Sequence, residues 1–242
     1  NGKTIFPMSP EDFGIWAPKL IAAGASYIGG CCGTTPAHIA AIAQASAHCA
    51  EPIRTPQPPC LRLTSRSKVV RIDKDLPTIL IGERINPTGR KKLAAEIRDG
   101  SLLSVKKEAI DQTRAGAQVL DVNMGVGGID QTAAMKQAIT EISQITDTPL
   151  CIDTGDASSL EAGLRYYPGR ALINSVSAEP ERIASFLPLA KKYGAAILCL
   201  PITSDGVPKT AAERLATIQQ IITAAKKCGL KDGDFLLDGL VM

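Results

Sequence analysis

The sequence predicts an α/β protein of the (β/α)8 barrel type, truncated after about six strands and preceded by the last βα unit of a second barrel. Two observations carry this. Beyond residue 68 short apolar runs alternate with helix-patterned stretches, the mark of βαβ units and a parallel sheet. Nearly every apolar run also ends in an acid or an amide, and in a parallel barrel all those ends open on one face. A doubly wound sheet would also take six strands, but no GxGxxG opens the first helix.

Taken in order, Ser9, Pro10, Glu11 and Asp12 give a cap, a proline at the first helical position and acids in the first turn, so a helix is expected from there to about Gly24. Residues 26–30 read as a buried strand that stops at Cys31 and Cys32. Thr34 or Thr35 caps a second helix to about Ala47. This fragment, residues 1–50, is too small to bury a core alone. Prolines crowd residues 51–59 and a basic polar stretch follows, so 51–67 reads as a semi-rigid linker. Residues 67–72 alternate weakly and would cover the bottom of the next domain, 68–242. There, strands are expected near 79–82, 118–122, 149–153, 171–174, 196–200 and 235–238. Helices are expected near 90–115, 129–145, 157–166, 179–193 and 209–228. The chain stops just past the sixth strand, so the first and sixth strands are expected to lack closing partners and the chain to be marginal or prone to associate.

Composition excludes several classes. A hydrophobic share of 45% with 21% charged residues suits a globular protein, and a formal net charge of +3 gives no expectation of nucleic-acid or membrane partners. No apolar run reaches the length of a membrane span and no signal core opens the chain, so a cytoplasmic location is expected. Seven cysteines fit no small disulfide framework. Cys49, Cys60, Cys151, Cys199 and Cys228 read as small apolar or incidental residues.

The strand ends carry the chemistry. They supply Glu83, Arg84 and Asn86, then Asp121 and Asn123, then Asp153, Asn174 and Asp238. Any one of these could simply cap a helix or form a turn. As a set they would be a costly cluster without a polar ligand. Carboxylates and amides with no metal or basic cage suit a flat heterocycle rich in N–H donors, such as a reduced pterin.

The runs GlyGluArgIleAsnProThrGlyArg (82–90), LeuAspValAsnMetGly (120–125), TyrProGlyArgAlaLeuIleAsnSer (167–175) and LeuLeuAspGlyLeuVal (236–241), with Asp153 between, closely resemble the folate-binding TIM barrel of cobalamin-dependent methionine synthases. Dihydropteroate synthases and corrinoid methyltransferases share that barrel, and a non-catalytic pterin-binding fragment is a further alternative. The resemblance implies methyl transfer from methyltetrahydrofolate to cob(I)alamin, carried by another domain or protein, and on to homocysteine. It places Asp153, Asn174 and Asp238 on the pterin, with Asp153 and Asn174 as the catalytic pair. Glu83, Asn86, Asp121 and Asn123 would line the pocket or orient those residues. An asparagine that the family supplies from a seventh strand has no counterpart here.

GlyGlyCysCysGlyThrThrPro (29–36) resembles the end of the homocysteine-binding barrel of the same family, where adjacent cysteines ligate zinc. Adjacent strand residues face opposite ways, so both thiols reach one ion only through a turn, which Gly29, Gly30 and Gly33 permit. A buried free pair or a vicinal disulfide are the alternatives from spacing alone. The family's third cysteine has no counterpart before Cys31, so weak or no zinc binding is expected. His38 and His48 read as surface or packing residues.

Overall fold

The computed structural model describes residues 2, 4–50 and 58–240. The chain divides into two compact units at Pro58 and Pro59.

In the first unit, helix α1 (Pro10–Ala22) opens on a capping box: Ser9 Oγ accepts from the Asp12 amide at 3.2 Å, and the Ser9 amide donates to Asp12 at 3.0 Å. Helix α2 (Pro36–Ser46) follows Thr35. Ala17, His38 and Ile42 are buried, whereas Trp16 and Leu20 lie open, as expected of a fragment too small for a full core. The strand expected at 26–30 is corrected. The segment is irregular and Tyr27 is 96% exposed. A strand needs a neighbour for its N–H and C=O groups, and among the described residues of this unit none lies alongside.

The second unit begins with a hairpin, β1 (Leu61–Thr64) paired antiparallel to β2 (Val69–Ile72). The linker reading of 51–67 is therefore too long at its end; residues 51–57 lie outside the described residues. The six parallel strands then come in sequence order: β3 (Ile81–Ile85), β4 (Val119–Asn123), β5 (Leu150–Asp153), β6 (Leu172–Val176), β7 (Ala196–Cys199) and β8 (Phe235–Leu237). A doubly wound sheet reverses direction at a switch point. This one never does, so it winds one way like a barrel wall.

Between the strands lie α3 (Lys91–Arg98), α4 (Leu103–Arg114), α5 (Gln131–Ile145), α6 (Ala157–Tyr166), α7 (Pro180–Tyr193) and α8 (Ala211–Lys227). The single helix expected over 90–115 is two, because Gly100 takes φ +76° and ends the first.

Strand alternation divides the side chains. One face sends Leu120, Val122, Ile152, Ile173 and Ile197 into the larger core beneath the helices. The other face is apolar at its lower end, where Val119, Cys151, Leu172 and Ala196 pack on Leu61, Leu63 and Val70 of the hairpin. The hairpin plugs the bottom of the wall. Tyr167 Oη donates to Thr64 O at 2.8 Å and accepts from the Leu150 amide at 3.0 Å. Arg170 donates to Arg62 O at 3.0 Å and Gly194 O at 2.9 Å and pairs with Asp234. Cys60, read as a linker residue, is buried at this joint.

Candidate functional site

Above the apolar layer the same face turns polar. Strand register aligns Asn123 with Asp153 and Asp153 with Asn174, so three polar side chains stand side by side on three strands. Asp121 lies two residues below Asn123, level with Cys151. Leu236 belongs to the inner cluster, which puts Asp238, two residues on, on the same face three strands from Asp153.

The chain's own donors decide how each amide is turned. The Thr88 amide donates to Asn86 Oδ1 at 2.9 Å and the Gly125 amide to Asn123 Oδ1 at 2.7 Å. Both Nδ2 groups are thereby turned toward Asp153 Oδ2, at 3.5 and 2.8 Å. Asn174 Nδ2 donates to Asp121 Oδ1 at 3.1 Å. Asp238 Oδ1 accepts from the Leu240 amide at 2.8 Å. Asn86 and Asn123 thus orient Asp153, and Asp121 anchors Asn174. Among the described residues no hydrogen bond reaches Asp153 Oδ1 or Asn174 Oδ1, and neither atom is sealed from solvent. What faces the opening is acceptors.

Burial pushes the Asp121 carboxyl up to about 6, with Asp153 and Glu83 adding to the effect while Asn174 and the Cys151 thiol oppose it. Asp153 is also raised, by burial first and then by Glu83, against Asn123 and Arg182. Glu83, exposed on β3, acts on both through its charge. Arg84 and Arg90 pair with Glu108 of α4. Sequence reasoning took Cys151 as incidental; its place beside Asp121 follows from strand register, which composition does not reveal.

In the first unit the Cys31 and Cys32 sulfurs lie 3.7 Å apart, both exposed. Two sulfurs on one tetrahedral zinc at ~2.3 Å would be ~3.8 Å apart. The pair fits two vertices of such a site. Among the described residues no group of three or more metal-ligating side chains occurs. Both His38 nitrogens are engaged, Nδ1 with Thr35 and Nε2 donating to Met8 O at 3.0 Å, and its ring packs edge-on against Phe13. It is a packing residue, as the sequence suggested. No helix is long and apolar enough to cross a membrane among the described residues.

A one-way parallel wall with an acceptor-lined opening at its strand ends is the setting in which kinship becomes informative. The chain belongs to the pterin binding enzyme family, which residues 82–241 match. Residues 1–46 match the homocysteine S-methyltransferase family. Across 97% of its length the chain is 32% identical to the methionine synthase of Mycobacterium tuberculosis and 29% identical to that of Mycobacterium leprae. It spans 20% of the length of each. In fold the chain is similar, over 74% of its length and 64% of the other's, to the dihydropteroate synthase of Xanthomonas albilineans, with a TM-score of 0.54 at 17% identity.

Proposed function

We propose that residues 68–242 bind 5-methyltetrahydrofolate and that residues 1–50 contribute to a homocysteine and zinc site, as parts of a methionine-synthesising methyltransferase of the cytoplasm. The observation that carries this is the polarity of the opening. Among the described residues Asp153 Oδ1 and Asn174 Oδ1 are free acceptors, Asp238 keeps one oxygen free, and Glu83 is exposed on β3. A reduced pterin presents paired N–H donors on its amino-pyrimidinone edge and a further N–H on its second ring, matching a row of acceptors. Asp238 takes the paired donors, and Asp153 and Asn174 the other edge.

Methyl transfer from N5 needs that nitrogen to gain a proton or a strong hydrogen bond, because a tertiary amine leaves poorly. No histidine occurs beyond His48. Burial raises the carboxyls of Asp121, to about 6, and of Asp153, which favours their protonated forms relative to an exposed acid. Cobalamin, presented by another domain or protein, supplies the cobalt(I) nucleophile. The chain's task is to hold, orient and polarise the folate. Methionine synthases match both units, which a dihydropteroate synthase reading leaves without explanation.

Titration of the chain with methyltetrahydrofolate tests the reading. Asn174→Ala and Asp153→Ala are each expected to weaken binding by about tenfold, the worth of one good hydrogen bond. Unchanged affinity in both removes the pocket. Pyrophosphate release from a hydroxymethylpterin substrate would instead favour the synthase.

Cys31 and Cys32 would hold zinc as thiolates, and the metal would lower the pKa of a bound homocysteine thiol. Two ligands do not complete such a site. Zinc content after dialysis is expected to fall well below one ion per chain; a full ion retained would show that other residues complete it.

A further inference from the structure

Asp121 is the one carboxylate among the described buried residues, 2% exposed, and its Oδ2 is sealed in the interior without a hydrogen-bond partner. A buried carboxylate with an orphaned oxygen is a costly thing to keep beneath a binding site. Asn174 Nδ2 donates to the other oxygen, Asp121 Oδ1, at 3.1 Å, and the Cys151 thiol lies beside the carboxyl. We propose that Asp121 is a positioning residue that locks the Asn174 amide with its carbonyl outward, so that the opening selects ligands by their N–H donors.

The physical reason is a choice between two orientations. An asparagine amide can turn over, exchanging its donor end for its acceptor end in nearly the same volume. With Asn174 turned over, its Oδ1 would meet Asp121 Oδ1 at hydrogen-bond distance, acceptor against acceptor, inside a low-dielectric layer built on Leu172 and Ala196. As it stands, Nδ2 is held at 3.1 Å and Oδ1 has no partner but the opening. Asn86 and Asn123 need no such lock, because backbone amides fix their carbonyl ends. Asn174 has no backbone donor on its side chain among the described residues; Asp121 does for it what Thr88 and Gly125 do for the others. The inference rests on the pterin reading and deepens it. A ligand ring with a bare nitrogen at the position facing Asn174 would meet an acceptor and be rejected, whereas the same ring reduced, carrying N–H there, would be accepted.

The test exchanges the two residues and measures affinity for methyltetrahydrofolate on the full chain, with circular dichroism to establish folding. Asn174→Asp alone sets two carboxyl groups against each other and is expected to lose at least tenfold in affinity. Asp121→Asn alone lets both amides turn over, and is expected to lose about tenfold and to narrow the preference for methyltetrahydrofolate over folic acid, the fully oxidised ring. The exchange D121N with N174D restores one donor below and an acceptor outward, and should return affinity to within about threefold of the parent. A purely space-filling role predicts losses that add. A double variant no better than N174D alone overturns the inference while leaving the pterin reading intact. A parent chain that binds no methyltetrahydrofolate overturns that reading, and the inference with it. Should D121N not fold by itself, the double variant against N174D decides.

Discussion

Asp121→Asn is expected to make the chain more stable at pH 7.5, by at most about 3 kcal/mol because the amide keeps a polar atom in the sealed position, even as it weakens the ligand. The sign follows from linkage. The folded carboxyl titrates at about 6 and an unfolded aspartate near 3.8, so below pH 3.8 both states are protonated and the group contributes nothing adverse. Between about pH 4 and 6 the folded chain holds a proton that the unfolded chain has released. Stability therefore falls as pH rises through that window and stays low above it. A shift of ~2 units corresponds to ~3 kcal/mol. The asparagine variant lacks this slope; the raised carboxyl of Asp153 keeps a smaller one of the same sign in both chains. Urea denaturation at pH 4.5 and 7.5 measures both effects. Equal slopes in parent and variant would mean that Asp121 is not the desolvated group.

Such a cost is what a binding site imposes on the fold that carries it. The acid sits inside the apolar layer of one sheet face, in one row with Cys151, Leu172 and Ala196, with Val119 below it and the polar strand ends above. Moving it one residue either way would send it into the helix-covered core. Its neighbour Cys151 stays a thiol, pushed far up by burial and by Asp121.

Much of this was legible in the sequence because periodicity is a local signal. Six apolar runs, five of them ending in Glu83, Asp121, Asp153, Asn174 or Asp238, located the strands to within a few residues and the polar face by alternation. What stayed hidden depends on partners distant in sequence. Leu61 and Leu63 alternate over only four residues, among basic and polar neighbours, and their apolar environment is supplied by strands tens of residues away. Residues 26–30 have strand-like composition but no strand beside them among the described residues of their unit, and composition cannot show a missing ladder. The division of labour between Asn123, which orients Asp153, and Asn174, which faces outward, depends on which backbone amide lies nearby. No sequence pattern encodes that.

The hairpin is where the largest loss from a small change is expected. A Cβ added at Gly169 would lie 2.1 Å from Thr64 O and 2.8 Å from its carbonyl carbon. Both are backbone atoms, so no flexible side chain can swing aside; the hairpin itself must move. That movement strains three contacts together: Thr64 N to Arg170 O at 3.1 Å, Arg170 N to Thr64 Oγ1 at 2.8 Å, and Tyr167 Oη to Thr64 O at 2.8 Å. It also begins to lift Leu63 from the apolar layer under the polar strand ends. Gly169→Ala is therefore expected to cost about 3 kcal/mol, the upper end for overpacking, and to lower Tm by roughly 6–12 °C. Gly155→Ala is the matched control: its nearest neighbour would be Arg182 Nη2 at 3.6 Å, an ordinary contact, so it should stay within about 0.5 kcal/mol. Equal melting of the two variants would mean that the hairpin does not support the wall. Unequal melting ties the floor of the barrel wall to the layer on which Asp121 and Asn174 stand.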